Sequence, residues 1–261
     1  MTSTAPFDGI AEAYDGDFTH TALGELLRAQ LWRTLEATLP RDGQLLELGC
    51  GTGEDALRMA RRGATVTATD LSQQMRDVTS QKCHGERVTV RYLDLGAPGG
   101  SDVSGPFDGA WSSFGPLNCV EDRAPLWRWL GDQLRPGAPL VLVVMSQWAP
   151  WDWLWFGAHG DLRSATRRLR AGSSANAGAG QEVRVWYPSW RQLRAESADA
   201  FELVDVQGLG VLLPISEAGH LVERAPALFR WLAAAEARSA GWPLMRSLGD
   251  HYVLHLRRRP V

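Results

Sequence analysis

With 261 residues, 44% of them hydrophobic and 22% charged, the chain has the size of one large domain and a globular composition. This excludes a disordered, collagenous or disulfide-scaffold protein. The formal net charge of −3 supplies no general attraction for nucleic-acid backbones or anionic membranes. Three scattered cysteines, Cys50, Cys83 and Cys119, form neither a disulfide framework nor a zinc knuckle, so a reducing cytoplasm is the expected setting. Two skews stand out. Lys82 is the single lysine among 27 basic residues, and 12 tryptophans outnumber the 4 tyrosines and 7 phenylalanines together. A GC-rich genome could account for part of both.

The N-terminal stretch MTSTAPFDGIAEAYD lacks the charged and apolar regions of a signal peptide. No apolar run approaches the roughly 18 residues of a membrane span, so no stable membrane insertion is expected. Residues 1–43 read as a helical cap, with Leu23, Leu26, Leu27, Leu31 and Leu35 recurring near a 3.6-residue period. From Gln44 to Met145, short apolar runs alternate with amphipathic stretches, the pattern of a parallel α/β sheet. Strands are predicted at 44–48, 64–69, 87–93, 107–111 and 140–145, and helices at about 54–62, 72–81 and 122–134. The run LVLVVM at 140–145 is apolar throughout, as a strand buried on both faces should be. Residues 146–187 break this rhythm and read as an insertion, in which AGSSANAGAG at 171–180 is a mobile small-residue loop. A strand at 182–187 and a helix at 190–198 follow. The last two strands of the sheet fall at 201–207 and 251–257, with a helix at about 225–238 between them. The expectation is one α/β domain with a doubly wound, seven-stranded, mostly parallel sheet. Its parts are a helical cap (1–43), a ligand-binding core (44–145), a lid insertion after the fifth strand (146–187) and the remainder of the sheet (188–261).

The strongest local signal is Glu47-Leu48-Gly49-Cys50-Gly51-Thr52-Gly53 between a strand and a helix. Glycines there permit positive φ and let the backbone approach a ligand at a helix N-terminus. A dinucleotide fingerprint would require glycine at the sixth position from Gly49, where this chain has Glu54. The spacing instead suits a ligand with no diphosphate and a zwitterionic amino-acid tail. Its carboxylate can use backbone N–H groups, and its ammonium can use carbonyl or carboxylate oxygens.

Over nearly its whole length the sequence resembles the class I S-adenosylmethionine-dependent methyltransferases, which have a Rossmann-like fold. LLELGCGTGEDA is close to that family's first motif. The resemblance implies S-adenosylmethionine as methyl donor and S-adenosylhomocysteine as product. Asp70 matches the acidic residue that takes the ribose hydroxyls. Leu71 and Met75 stand where the adenine packs, and Asp94 with the Leu95 N–H where its edge is read. Ser112, Ser113 and Phe114 stand where the fourth strand lines the methionine part. Phe7-Asp8-x-x-Ala11-x-x-Tyr14-Asp15 resembles an N-terminal motif of quinone-biosynthesis methyltransferases, in which the tyrosine closes over the cofactor.

Methyl transfer from a sulfonium is an in-line displacement that needs alignment and exclusion of water. A base is needed only when the attacking atom is protonated. The segment after the fourth strand, Ser112-Ser113-Phe114-Gly115-Pro116-Leu117-Asn118, lacks the Asn/Asp-Pro-Pro-aromatic element of DNA amino-methylating enzymes. The acceptor is therefore expected to be a small molecule, with no nucleic-acid partner and no metal. Arg163, Arg167, Arg168 and Arg170 read as a solvated helix face rather than an anion-binding surface. Trp148, Trp151, Trp153, Trp155 and Trp186 are candidate substrate-binding residues. The alternation of the middle three fits one face of an extended segment. They could form an aromatic wall, anchor the insertion to the sheet, or make a membrane or dimer contact. Asn118 is a candidate for orienting the acceptor. His20 in the cap is the candidate base, ahead of His159 and His220.

Overall fold

The computed structural model of the protein describes residues 7–11, 14–170, 172–176 and 182–260. Its first five strands are β1 (Gln44–Leu48), β2 (Thr65–Asp70), β3 (Val88–Tyr92), β4 (Gly109–Ser112) and β5 (Pro139–Met145). A separate two-stranded hairpin of β6 (Ser173–Asn176) and β7 (Glu182–Val185) is followed by β8 (Phe201–Leu209) and β9 (His251–Arg258). Seven strands form one sheet in the order β3-β2-β1-β4-β5-β9-β8. Strands β1 to β5 run parallel, and β9 lies antiparallel between β5 and β8. The predicted seven-stranded, mostly parallel sheet is thus present.

Helices cover both faces. Helix α1 (Ala22–Thr38) is followed in chain order by α2 (Glu54–Arg62), α3 (Gln73–Lys82), α4 (Ala124–Gln133), α5 (Pro150–Ala158) and α6 (Leu162–Ala165). Then come α7 (Trp190–Glu196), α8 (His220–Arg224) and α9 (Pro226–Ser239). On one face the core gathers Leu46, Leu48, Leu142 and Leu254 with Trp127 and Phe201; on the other, Leu45, Trp111 and Val143 meet Leu27, Leu31 and Phe229. Central strands buried on both sides need apolar residues at every position, which is why β5 shows no alternation. The strand order reverses between β1 and β4, and in such sheets the crevice for a ligand opens outside the carboxyl ends at that reversal.

The insertion departs from expectation in three ways. Trp151, Trp153 and Trp155 lie in α5, not in an extended segment. Pro150 starts that helix, where its missing N–H costs nothing. A spacing of two residues in a helix sends Trp153 to the side opposite Trp151 and Trp155, and Trp153 is accordingly the exposed one. Second, Arg168 is buried and pairs with Asp152 of α5 (Nε to Oδ2, 2.7 Å) and with Asp250, so the arginine run is no solvated face at that position. The geometry is an internal clamp that ties the insertion to the start of β9. Third, part of the small-residue loop is structured, since Ser173–Asn176 pairs antiparallel with Glu182–Val185. Residues 171 and 177–181 of that loop lie outside the described residues.

A buried carboxylate also shapes the far end of β8. Glu236 of α9 is fully buried and accepts the N–H groups of Gly210, Val211 and Leu212 at 2.8, 2.8 and 2.6 Å. Glu236→Ala leaves these three donors without their acceptor and should lower stability by about 3 kcal/mol. The check is the urea midpoint at unchanged slope. A midpoint equal to that of the unaltered protein would mean that water replaces the carboxylate at no cost.

Candidate active site

The loop after β1 owes its shape to three glycines with positive φ: Gly49 (70°), Gly51 (53°) and Gly53 (80°). A Cβ on Gly49 would lie 2.4 Å from Pro116, and one on Gly53 would lie 2.6 Å from Thr79. Those two are fixed by close packing as well as by conformation. Gly51 is different, because its absent side chain would meet nothing within 4 Å. The middle of the loop faces open space.

Asp70 ends β2 beside this opening. Its Oδ2 accepts the Gly51 N–H and its Oδ1 the Ser72 N–H, each at 2.9 Å. Burial pushes this carboxyl up, against the hydrogen bonds from Ser72 and Gly51 and the charge of Arg76. Ser72 caps α3 as predicted, accepting the Met75 N–H at 3.1 Å. Met75 is buried, while the neighbouring Leu71 is 39% exposed, an apolar surface beside the opening. Asp94 accepts the Gly96 N–H at 2.8 Å and precedes the buried Leu95. Cys50 is buried and donates its backbone N–H to Thr69 O. Burial, then the charges of Asp70 and Glu47, holds its thiol well above the usual range, so its side chain is structural rather than nucleophilic.

Under the loop lies a group of buried charges. Glu47 accepts a hydrogen bond from Trp111 Nε1 at 3.1 Å, yet its Oε2 is buried with no partner. Burial, reinforced by Asp55, holds this carboxyl well above the usual carboxylate range. Arg28 of α1 donates to Asp55 Oδ1 at 2.7 Å and to Thr19 at 3.3 Å, and its Nε has no partner. Trp32 Nε1 also donates to Asp55 Oδ1, at 2.7 Å. Arg28 was not singled out in the sequence, although Gly24, Arg28, Leu31 and Leu35 recur at helical spacing on the buried side of α1. An arginine in that stripe is the signal that could have found it.

The cap reaches this group through Tyr14, Asp15 and Phe18. Burial, opposed by Arg28, pushes the Tyr14 phenol up, and Asp55, Asp15 and Asp70 add to it. Asp15 accepts from Thr52 of the glycine loop at 2.6 Å and pairs with Lys82, which also reaches Glu54 at 3.2 Å. The only lysine therefore pins the cap to the loop. His20 is exposed, and its ring nitrogen lies within 4.8 Å of the carboxylate oxygens of Asp15 and Glu54. The Lys82 ammonium pairs with both carboxylates of this trio and already supplies the compensating cation. The side chains of Asp8 and Asp17 lie outside the described residues.

Beyond β4, Ser112 Oγ is spent on Leu48 O at 2.8 Å, whereas Ser113 Oγ is buried without a partner. Phe114 has φ 53°, and its ring meets Phe18 at 5.3 Å and His251 at 5.4 Å, with the Arg28 guanidinium 5.1 Å away. Asn118 is not free to orient an acceptor. It is fully buried, and its amide donates to Met145 O (3.2 Å) and Trp186 O (2.7 Å) and accepts the Met145 N–H (2.9 Å). The tryptophans do not form one wall. Trp148 and Trp153 meet edge to face at 5.8 Å and are exposed, while Trp155 meets His159 at 4.5 Å and His220 at 5.6 Å. Trp186 is half-buried beside Asn118, and Trp151 is half-buried on α5.

Residues 45–137 match the family model described as a methyltransferase domain. Residues 45–137 thus form a methyltransferase domain, and the fold of the whole chain is similar to that of S-adenosylmethionine-dependent methyltransferases. It is 35% identical over 147 residues to a demethylmenaquinone methyltransferase of Clavibacter sepedonicus, covering 55% of this chain and 58% of that one. It is 31% identical over 147 residues to the tRNA 5-carboxymethoxyuridine methyltransferase of Escherichia coli K12, covering 54% and 56%. The chain thus spans a little over half the length of these curated relatives. Its fold is similar to that of the CcbJ methyltransferase from Streptomyces caelestis, with a TM-score of 0.63 at 17% identity over 99% of this chain and 100% of that one. Among the described residues, no helix is long and apolar enough to cross a membrane.

The cap-to-loop contact is pH-dependent. Burial raises the Asp15 carboxyl, but hydrogen bonds from Lys82 and Thr52 outweigh it and hold it below its ordinary value. A depressed acid stabilises the fold above its unfolded pKa and loses that contribution as pH falls through its folded value. Lys82→Met should therefore lower the urea midpoint at pH 6, and the gap should shrink as the pH falls below the ordinary aspartate range and through the depressed Asp15 value. A gap that stays constant over that range would show that the ion pair is not its source.

Proposed function

We propose that the protein transfers the methyl group of S-adenosylmethionine to O, N or C of a small aromatic or hydrophobic metabolite. What carries this reading is a set of unsatisfied polar atoms next to an open glycine. Glu47 Oε2, Arg28 Nε and Ser113 Oγ are buried without partners, and Gly51 leaves its surroundings clear. A buried polar atom without a hydrogen bond costs about 1–3 kcal/mol, so a set of them near the carboxyl ends of the strands fits a polar ligand. Carboxylate, guanidinium and hydroxyl together suit a zwitterionic amino-acid tail.

In this reading Arg28 and the loop N–H groups hold the carboxylate of the donor, and Glu47 holds its ammonium. Asp70 accepts the ribose hydroxyls, Leu71 and Met75 flank the base, and Asp94 with the Leu95 N–H reads its edge. Gly49, Cys50 and Gly53 contribute backbone. Tyr14 closes the site, and Ser112, Ser113 and Phe114 line the reacting end. The bound donor supplies a methyl carbon on a positively charged sulfur. The chain's own work is to align the acceptor with that carbon and keep water out. Phe18 and Phe114 serve the second task by closing the cap over the carboxyl end of β4. The insertion follows β5 on the acceptor side, and its tryptophans Trp148, Trp151, Trp153, Trp155 and Trp186 are the candidates for contact with the acceptor.

A second reading, an acceptor delivered from a lipid surface, draws support from the exposed Trp148, Trp153, Leu154 and Leu162 on the insertion. A net charge of −3 favours either reading over an RNA acceptor.

Titration calorimetry with S-adenosylmethionine is the first test, followed by detection of S-adenosylhomocysteine with a panel of aromatic acceptors. Asp70→Ala should weaken donor binding more than tenfold; an unchanged affinity would reject the ribose assignment. Tight binding with no product from any acceptor would favour a protein that binds the donor without transferring its methyl group.

A further inference from the structure

His251 is the one buried histidine among the described residues. It opens β9, paired in register with Met145 at the end of β5 and with Leu209 of β8. That register places it at the carboxyl edge of the sheet, where ligands bind in such folds. Its ring stands perpendicular to Phe114, at 5.4 Å and 89°, one ring away from the cap. Nδ1 is buried and lies 3.0 Å from Asp250 Oδ2, a charge contact whose angle is not that of a hydrogen bond. Nε2 has no hydrogen-bond partner among the described residues and is not sealed from solvent, and the residue as a whole is 6% exposed.

Asp250 is itself held in place. Its Oδ1 pairs with Arg168, and Arg168 also pairs with Asp152 of α5. Burial pushes the Asp250 carboxyl up, but the charges of His251 and Arg168 outweigh it, leaving it well below the usual carboxylate range. A carboxylate charge 3.0 Å from one ring nitrogen favours the proton there by Coulomb attraction and leaves the other nitrogen as a lone pair. The charged groups around the ring are Asp250 on its own strand, Arg168 and Asp152 behind it, and Arg28 across Phe114.

We propose that His251 accepts the proton released in methyl transfer, positioned by Asp250, and that the acceptor therefore attacks through a hydroxyl of phenol or enol type. This rests on the methyl-transfer reading above. As the acceptor oxygen bonds to the methyl carbon, the carbon–sulfur bond breaks with its pair on sulfur, and the O–H proton passes to Nε2. The positive charge lost by the sulfonium is then carried by an imidazolium facing Asp250. An amine acceptor that binds in its neutral form attacks through a free lone pair and gives this pair nothing to do before the transfer. His20, His159 and His220 are exposed, and the carboxylates beside His20, Asp15 and Glu54, are already paired with Lys82.

The test uses the full chain saturated with S-adenosylhomocysteine. Long-range nitrogen–proton NMR at pH 9 should show neutral His251 with its proton on Nδ1, and Asp250→Asn should shift it toward Nε2. An Nε2-protonated ring in the unaltered protein overturns the proposal. Turnover of a phenol and catechol panel with S-adenosylmethionine supplies the second arm. His251→Gln should lower kcat at least a hundredfold and flatten its pH profile, with S-adenosylhomocysteine affinity within threefold. An unchanged rate and profile also overturns the proposal. Failure of the unaltered protein to bind S-adenosylhomocysteine would instead strike the methyl-transfer reading, and the tautomer would still decide the chemistry of His251.

Discussion

A guanidinium buried between a helical cap and a glycine loop imposes the strictest demand on this molecule. Arg28 is 6% exposed, and removing a charge of that kind from water costs several kcal/mol unless partners replace the solvent. Asp55 replaces part of it, Thr19 a little, and the faces of Phe114 and Phe18 lie at 5.1 and 6.0 Å. Those partners come from α2, the cap and the end of β4. One cation thus obliges three separate stretches of chain to converge where the sheet reverses its order. The Nε left without a partner is the donor that, in the proposed function, an anionic ligand group would satisfy.

A second chain of charges does for the insertion what Arg28 does for the cap. Asp152, Arg168, Asp250 and His251 run in contact from α5 to the first residue of β9. Breaking such a buried pair from one side typically costs about 3–5 kcal/mol, so the insertion is fastened at its base. Its exposed aromatic rim bears none of that load. Asn118 adds a polar pin that joins the end of β5 to the backbone of Trp186. The two charge chains approach each other across Phe114, whose ring touches both Arg28 and His251. One aromatic ring therefore separates the two charge chains.

The sheet was legible because parallel strands buried on both faces must be apolar, and the run at 140–145 has no other reading. The glycine loop was legible because positive φ at three alternate positions is a demand that glycine meets without strain. What escaped the sequence were contacts between distant residues. The alternation of Trp151, Trp153 and Trp155 imitates a strand; the helix shows itself only in Pro150 and in the tie from Asp152 to Arg168. Arg168 lay in a run that resembles a solvated face, and nothing nearby announces Asp250 as its partner. Asn118 sits where a ligand contact was expected, and its real partners are backbone groups 27 and 68 residues away. His251 was hidden for a similar reason: it reads only as the first residue of one of the last two strands until the antiparallel register places it at the carboxyl edge.

The central claim is that a buried arginine, left short of one partner, recognises the amino-acid end of the methyl donor. It is tested most directly by comparing affinities for S-adenosylhomocysteine and for 5′-methylthioadenosine, which lacks that end. Calorimetry should be run on the unaltered protein and on Arg28→Met combined with Asp55→Asn, so that no buried carboxylate is stranded. The account predicts a preference of more than about a hundredfold for S-adenosylhomocysteine in the unaltered protein, the worth of two charge-assisted hydrogen bonds, and its collapse in the double variant. An equal preference in both proteins would contradict it.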